Sequence, residues 1–165
     1  MKIAIFSDLH DDWQNLKKFL DFCQQEKIST IISCGDLTNE ETFEYLATNF
    51  SGQILMVGGN ADLFDIDKIK KYSQITYEAN ILATEIAGLK ILAIHKPKEL
   101  TEILEKTPNQ FDFAFFGHTH RPDFKKTGKT ITANPGTLNG PLPQASFAVL
   151  DSNTKRLELK ILSQI

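Results

Sequence analysis

The 165-residue sequence has few cysteines, few histidines, no excess of basic residues and no long apolar run. Its two cysteines, Cys23 and Cys34, are too few for a disulfide framework, and each lies in an apolar stretch. Free cysteine is among the most buried residue types. We therefore expect two buried, reduced thiols, as is typical of a cytoplasmic protein.

The other absences argue against several classes of protein. The apolar run at residues 3–6 is shorter than the roughly 7–15 residues of a signal peptide, and no segment approaches the roughly 18 apolar residues of a membrane span. A net charge of −3 argues against an extended nucleic-acid partner. Motifs of kinases, serine hydrolases and dinucleotide-binding proteins are missing.

The hydrophobic content of 41% and the charged content of 24% are typical of a globular protein. The length favours one domain over residues 1–165. Apolar runs alternate with amphipathic stretches, which predicts an α/β fold that begins βαβαβ with a parallel sheet and later adds antiparallel strands. The predicted strands are 2–6, 30–33, 54–57, segments of 76–95 around a turn at 87–88, 111–116, 130–133, 146–151 and 156–162; the predicted helices are 13–27, 40–50, 66–72 and 100–107, and 136–144 is a Gly/Pro-rich loop.

Polar side chains suited to metal binding follow five of the predicted strands. The carboxyl ends of strands in an α/β sheet converge on one crevice, so we expect these side chains to lie together. In chain order they are Asp8, His10, Asp36, Asn60, His95, His118 and His120.

All four histidines of the chain belong to this set. A single one is more simply explained as a hydrogen-bonded structural histidine, but the placement of all four at strand ends favours a metal centre. Carboxylate and amide oxygens suit hard divalent ions, and imidazole suits Mn, Fe, Ni and Zn. The set is large enough for two ions, which requires one carboxylate to bridge them.

Five short motifs, in this order, resemble the calcineurin-like metallophosphoesterase superfamily. The small size and the segment Asn-Pro-Gly-Thr at 134–137 resemble its YfcE-like small phosphodiesterase branch, and the match extends from Lys2 to Gly136. The motifs are D-x-H at 8–10, G-D at 35–36, G-N-x-D at 59–62, a lone His95 and G-H-T-H at 117–120.

The resemblance implies a four-layer α-β-β-α sandwich of two mixed sheets. It also implies two divalent metal ions, Mn²⁺ by preference, with Fe, Ni or Zn as alternatives. The implied activity is a metal-dependent phosphodiesterase, or more broadly a phosphoesterase, that uses a metal-bridging hydroxide as its nucleophile. By resemblance, one ion is held by Asp8, His10, Asp36 and His120, the other by Asp36, Asn60, His95 and His118, and the catalytic residues are Asp36, Asn60 and His118.

The sequence departs from the pattern at two positions. Ala61 stands where the superfamily often has a histidine that protonates the leaving group, and Lys96 follows His95 where the branch often has glycine. We expect Ala61 to favour substrates with acidic leaving groups or diesters. Lys96 is either a phosphate contact or, more simply, a solvated side chain.

Five further positions near the motifs leave alternatives open. Trp13 and Phe64 either line the cleft or, as we expect, belong to the core. Arg121 either binds a phosphate oxygen or forms a surface salt bridge. The pair Asp11 and Asp12 either tunes the site or, more simply, belongs to a solvated loop.

The expected partner is a small phosphate ester or a nucleotide, and the oligomeric state is open, with a homo-oligomer as one alternative. Two rival functions remain. One is a non-catalytic protein-binding scaffold on the same fold, as in the phosphoesterase-like subunit of retromer. The other is a nuclease of the same superfamily, which the chain's size and acidic balance disfavour.

Overall fold

The fold alternates strands and helices along most of the chain in the computed structural model, which describes residues 1–140 and 145–165. The end of the Gly/Pro-rich loop predicted at 136–144 lies outside the described residues. The elements are β1 (Lys2–Phe6), α1 (Trp13–Gln25), β2 (Thr30–Ser33), α2 (Glu40–Asn49), β3 (Gln53–Val57), α3 (Ile66–Ile69), β4 (Ile75–Glu78), β5 (Ile81–Ile86), β6 (Leu89–Ile94), α4 (Pro97–Lys106), β7 (Phe113–Phe115), β8 (Asp123–Thr127), β9 (Thr130–Asn134), β10 (Ser146–Asp151), β11 (Arg156–Ile161) and a 3-10 turn (Leu162–Gln164).

The strands form two mixed sheets. Sheet A has the order β11-β10-β1-β2-β3-β4, and sheet B has the order β5-β6-β7-β9-β8. In sheet A, β1 to β4 are parallel and the hairpin of β10 and β11 adds antiparallel strands beside β1. In sheet B, β6, β7 and β9 are parallel, with antiparallel β5 and β8 at the edges.

Three apolar clusters order these elements into layers. Alternate residues of β1 show the arrangement: Ile3 and Ile5 face sheet B, whereas Ala4 and Phe6 face the helices. The first cluster joins α1 and α2 to sheet A, the second fills the space between the sheets, and the third joins α4 to sheet B. The predicted four-layer α-β-β-α sandwich is therefore confirmed.

Local sequence accounts for where the helices begin. Asp12 accepts a hydrogen bond from the Asn15 N–H and caps α1, and Asn39 does the same for α2 through the Thr42 N–H. Pro97 occupies the first position of α4, where a missing N–H is tolerated. For that reason α4 begins three residues before the predicted position 100.

Two sequence expectations about the fold are wrong. Strand β8 was not predicted, because its residues Asp-Phe-Lys-Lys-Thr are exposed on both faces and lack apolar alternation. Trp13 was expected in the core, yet it is 41% exposed and packs edge-on against Tyr45. Phe64, by contrast, is buried as expected, as are both cysteines.

The parallel strands of the predicted βαβαβ start determine where the candidate site lies. Strands β1, β2 and β3 run in parallel, so their carboxyl ends lie at the same edge of sheet A. Strands β6 and β7 are also parallel and end beside them in sheet B. None of the helices in the described ranges combines the length and the hydropathy that crossing a membrane requires.

Candidate metal centre

The structure brings all seven predicted ligands together at the carboxyl ends of five strands, where they form two groups. The first group contains Asp8, His10 and His120: Nε2 of His120 lies 3.2 Å from Oδ1 of Asp8 and 3.2 Å from Nε2 of His10. In the second group, Nε2 of His95 lies 2.9 Å from Oδ1 of Asn60 and 3.2 Å from Nδ1 of His118.

Asp36 joins the two groups. Its Oδ2 lies 3.4 Å from Nε2 of His95 and 3.7 Å from Nε2 of His10. One carboxylate oxygen therefore faces donors of both groups, which is the arrangement that a bridging ligand requires. The sequence pattern alone did not predict that Asp36 lies between the two groups. Only the family resemblance implied it.

The site has a deficit of positive charge. Asp8 and Asp36 are buried, and within the described residues neither carboxylate has a lysine or arginine within salt-bridge distance. Donor atoms of Asp8, His10 and His120 lie within 4.8 Å of one another, as do those of Asp8, Asp36 and His95. Because burying carboxylates without a partner cation is costly, this donor set fits bound divalent cations.

His95 shows the fit most clearly. Its Nδ1 donates to the carbonyl oxygen of Cys34 at 2.8 Å, which leaves the lone pair on Nε2 in the neutral ring. That lone pair faces two oxygen acceptors, Oδ1 of Asn60 and Oδ2 of Asp36. Acceptors that converge in this way require a proton or a metal ion between them, and a backbone carbonyl on the far ring nitrogen is typical of metal-bound histidine.

The pKa values of Asp8, Asp36 and His95 depart from their ordinary ranges. Burial raises the pKa of the Asp8 carboxyl. Burial also acts to raise the pKa of Asp36, but hydrogen bonds from His95 and from the Ala61 N–H hold it below its usual range. Burial acts to lower the pKa of His95, yet Asp36 and the Cys34 carbonyl stabilise the imidazolium and hold that pKa above its usual range.

Backbone strain is concentrated at the ligands. Five of the seven adopt a positive φ, a conformation that residues other than glycine rarely adopt. Strain of this kind costs of the order of 1–3 kcal/mol per residue and clusters at functional sites. The five are Asp8 (54°), His10 (45°), Asp36 (59°), His118 (69°) and His120 (57°).

Glycines beside the ligands allow the loops to approach each other closely. A Cβ on Gly59 would lie 2.1 Å from Oδ1 of Asp36, and a Cβ on Gly117 would lie 1.9 Å from Oγ of Ser7. Gly35 also has a φ of +96°. The glycines of the G-D, G-N and G-H motifs are therefore required by backbone approach to neighbouring ligand loops.

Asp62 organises two of these loops, a role that the sequence motif did not reveal. Its Oδ2 accepts from the N–H groups of Gly59 (2.7 Å) and Asp36 (3.3 Å), and its Oδ1 accepts from those of Leu37 (2.7 Å) and Thr38 (3.0 Å). One carboxylate thus ties the loop of Asp36 to the loop of Asn60. Its place as the aspartate of the G-N-x-D motif, two positions after a predicted ligand, was the available signal.

Thr137 contacts the backbone of the loop that carries Asp8. Its hydroxyl donates to the carbonyl oxygen of Asp8 at 2.6 Å, and the Asn139 N–H donates to the same oxygen at 3.2 Å. The segment 134–137, which contributed to the family resemblance, therefore fixes the backbone of Asp8 in its strained conformation.

The expectation that Asp11 and Asp12 form a solvated loop is wrong. Asp11 accepts hydrogen bonds from the Asn39 N–H and the Thr42 hydroxyl, which joins the first ligand loop to α2. Asp12 caps α1 and accepts from the Gly140 N–H at 2.9 Å. Both are half-buried, and their acceptor capacity is used within the protein.

The two basic candidates remain exposed. Arg121 has no salt bridge to the residues that the structure describes, so the surface ion pair considered for it is not observed there. Lys96 is 49% exposed, and its Nζ lies 3.9 Å from Oε1 of Glu99. Neither belongs to the two ligand groups.

Comparison with known proteins identifies the family. Residues 1–155 match the calcineurin-like phosphoesterase superfamily domain. The chain belongs to that superfamily. The phosphodiesterase MJ0936 of Methanocaldococcus jannaschii is 28% identical over 160 residues, which cover 94% of this chain and 95% of that protein.

Solved structures agree with this assignment. The structure of a novel archaeal phosphodiesterase is 25% identical, has a TM-score of 0.87 and aligns over 98% of this chain and 99% of its own. Vps29 of Entamoeba histolytica in complex with Zn²⁺ shares the fold at 20% identity, with a TM-score of 0.70 and coverage of 98% and 99%. The predicted superfamily, its small phosphodiesterase branch and the enzyme class, a phosphoester hydrolase, are confirmed.

Proposed function

We propose that this chain is a dinuclear-metal-dependent phosphodiesterase, formed by one domain over residues 1–165. The observation that supports the proposal is the position of Asp36, whose Oδ2 faces both His10 and His95. Two groups of ligands that share one carboxylate suit a pair of ions, which two-metal hydrolysis places roughly 3.5–4 Å apart.

The proposed ligand sets follow the two groups. When bound, such ions supply Lewis acidity, which lowers the pKa of a water nucleophile and stabilises negative charge on phosphate oxygens. Each set combines two imidazole nitrogens with carboxylate or amide oxygens, a mixture that Mn²⁺, Fe, Ni and Zn accept. We propose Mn²⁺ as the natural metal. One ion is assigned to Asp8, His10, Asp36 and His120, and the other to Asp36, Asn60, His95 and His118.

The protein's own residues prepare the site before substrate binds. The Cys34 carbonyl holds the His95 ring so that Nε2 faces Asn60 and Asp36. Main-chain N–H groups hold the carboxylates: that of His118 donates to both oxygens of Asp8, and that of Ala61 donates to Oδ1 of Asp36. These contacts orient the donors in advance, which reduces reorganisation during the reaction.

The site has no general acid at position 61. The methyl group of Ala61 donates no proton, and general acid catalysis commonly contributes 10²–10⁴-fold to rate. The substrate class that fits is a small phosphate diester, nucleotides included, or an ester with an acidic leaving group. Across aryl diesters with graded leaving-group pKa, we expect the rate to fall as that pKa rises, provided that chemistry limits turnover.

A non-catalytic scaffold is the second candidate. Phe124 is 59% exposed and Leu159 is 47% exposed, and both line a groove between the edges of the two sheets. Exposed apolar surface of this kind is typical of protein contacts. The groove lies between β8 and β11, which are edge strands of the two sheets. This side of the sandwich is opposite the side formed by the edge strands β4 and β5.

The first experiment is hydrolysis of bis-p-nitrophenyl phosphate by metal-stripped protein, with and without Mn²⁺. We expect turnover that depends on the metal and that Asp36→Ala reduces by at least about 100-fold, because loss of the shared carboxylate removes a ligand of both ions. Asp21→Ala, an exposed aspartate on α1, is the matched control and should retain full activity.

The outcomes separate the two candidates. If folded protein shows no turnover with Mn²⁺, Fe²⁺, Ni²⁺ or Zn²⁺, the scaffold becomes the better explanation. If turnover survives Asp36→Ala, the dinuclear assignment is wrong even though the chain is an enzyme. Circular dichroism of each variant establishes that it is folded.

A further inference from the structure

A small cleft opens beside the second ligand group. It holds about 90 Å³, and its walls include Asn60 and His95 of the candidate centre together with Asn80, Lys96 and Glu99. This volume equals that of about three water molecules, which is sufficient for a carboxylate or phosphoryl group.

Lys96 brings an available positive charge to this cleft. Its Nζ lies 3.9 Å from Oε1 of Glu99, beyond hydrogen-bond distance, and both side chains are about half exposed at 49% and 47%. Pairs of this kind contribute little to stability because water competes for both groups. The ammonium group is therefore free to bind an anion that enters the cleft.

The backbone at this point also favours an anion. Lys96 is the residue that precedes α4, and its side chain makes no capping hydrogen bond to the helix. The first turn of a helix has N–H groups without intrahelical acceptors, and its dipole attracts negative charge. Lys96 and the first turn of the ten-residue α4, which also carries Glu99, therefore lie at one wall of the cleft.

We propose that this cleft is a substrate subsite that binds a second anionic group, a carboxylate or a phosphoryl group, close to the phosphate that is hydrolysed. The inference rests on the proposed function and narrows its substrate class to esters with such a group. Lys96 determines this specificity, and Glu99 is the counter-charge that the ligand replaces.

A matched pair of ligands tests the proposal: 2-carboxyethyl phosphate and 3-hydroxypropyl phosphate. Both have a three-carbon chain, and they differ in whether the far end is a carboxylate or a neutral alcohol. Isothermal titration calorimetry with the full chain, loaded with Mn²⁺, measures the ratio of their dissociation constants. We expect the carboxylate to bind about three- to tenfold more tightly, as one partly exposed ion pair provides.

Variants show which side chain produces the difference between the two dissociation constants. Lys96→Met should bring their ratio to about one, because the charge is removed while most of the side-chain volume is kept. Glu99→Gln should increase the ratio, since the competing carboxylate is neutralised. Lys98→Met, a change in the exposed neighbour that does not line the cleft, is the matched control and should leave the ratio unchanged.

Two results would overturn the subsite. One is equal affinity of the wild-type protein for both ligands. The other is a preference for the carboxylate that persists in Lys96→Met, which would assign the preference to direct contact with the metals. The titration compares affinities rather than rates, so failure of the subsite is distinguishable from failure of the proposed hydrolysis, which the bis-p-nitrophenyl phosphate assay decides separately.

Discussion

Asp62 is outside the predicted ligand set, yet its carboxylate accepts four backbone hydrogen bonds from the loops of Asp36 and Asn60. The separation between these two ligands therefore depends on a residue that contacts neither of their side chains. At the scale of single residues, such positioning is as important as the donors themselves, because metal sites tolerate only small displacements of their ligands.

Asp62→Ala should lower both Mn²⁺ affinity and stability. Removing the carboxylate leaves several N–H groups without a partner, and each unsatisfied buried donor costs about 1–3 kcal/mol. The Mn²⁺ affinity and the stability of Asp62→Asn should lie between those of Asp62→Ala and those of the wild type, because the amide keeps one oxygen acceptor. Calorimetric Mn²⁺ titration and urea unfolding measure the two effects. Asp67→Ala, a change in an exposed aspartate on α3, is the control.

An Asp62→Ala protein that binds Mn²⁺ with wild-type affinity would contradict the positioning role. A general loss of stability in Asp62→Ala does not by itself support the positioning role of Asp62. For this reason the decisive comparison is between Asp62→Asn and Asp62→Ala in metal affinity, measured where both proteins are fully folded.

Ala61→His should increase activity toward phosphate monoesters with poor leaving groups. The new imidazole would supply the general acid that position 61 lacks, an effect that commonly contributes 10²–10⁴-fold. Steady-state rates on phenyl and p-nitrophenyl monoesters measure it, with Ala61→Gln as a polar control that transfers no proton. Equal gains in the glutamine variant would attribute the effect to hydrogen bonding instead.

At the scale of elements, the ligand loops after β1 and β2 interlock through their backbones. The N–H of Asp8 donates to the carbonyl of Gly35, and the N–H groups of Leu9 and His10 donate to the carbonyl of Asp36. The Gly117 N–H donates to the His95 carbonyl and joins the loops after β6 and β7. The strands thus define where the loops begin, and contacts between the loops define where each ligand points.

Gly59→Ala tests this close approach between loops. A Cβ at Gly59 would lie 2.1 Å from Oδ1 of Asp36, so the Asp36 carboxylate must move. We expect loss of Mn²⁺ binding and a destabilisation of about 1–3 kcal/mol, as for other overpacked sites. Gly88→Ala is the matched control, since it strains a positive φ of +77° in an open turn and meets no neighbouring atom within 4 Å.

Gly88→Ala should therefore cost some stability but leave Mn²⁺ affinity unchanged. Urea unfolding and metal titration of the two alanine variants separate backbone strain from steric displacement of a ligand. Retention of Mn²⁺ binding by Gly59→Ala would show that the loops adjust without moving Asp36.

At the scale of the whole molecule, metal binding and folding are linked through protons. The raised pKa of His95 contributes stability to the metal-free protein below its ordinary pKa of about 6.5, and this contribution is lost as the pH rises through the folded-state value. The lowered pKa of Asp36 contributes stability above about 3.9, which is lost as the pH falls through the folded-state value.

The metal-free protein should therefore lose part of its free energy of unfolding as the pH rises above about 6.5 and through the raised pKa of His95. The Mn²⁺-loaded protein should show the opposite trend over neutral pH, because the metal competes with protons for the imidazoles. Urea unfolding at several pH values measures both, and His95→Gln should flatten the metal-free dependence. Parallel trends with and without Mn²⁺ would contradict the assigned site.

Much of the candidate site was predictable from sequence because its residues are marked by local pattern. Each candidate ligand residue lies within four positions after an apolar run, and runs such as 2–6 and 30–33 form buried strands with the predicted bounds. Strand β8 was not predictable in this way, since its residues are exposed and its pairing with β9 is its main support. The exposure of Trp13 was likewise decided by what packs beside it.

The sequence by itself determined the types of the candidate ligand residues, their order and their placement at strand ends, because hydrophobic periodicity and strand polarity are local properties. Only the tertiary structure decided that Asp36 faces both groups, that Cys34 orients His95 across 61 positions, and that Asp62 holds two loops. The physical reason is that these contacts join residues far apart in the chain. Their distances are set by how the two sheets and their loops pack, which no local pattern encodes.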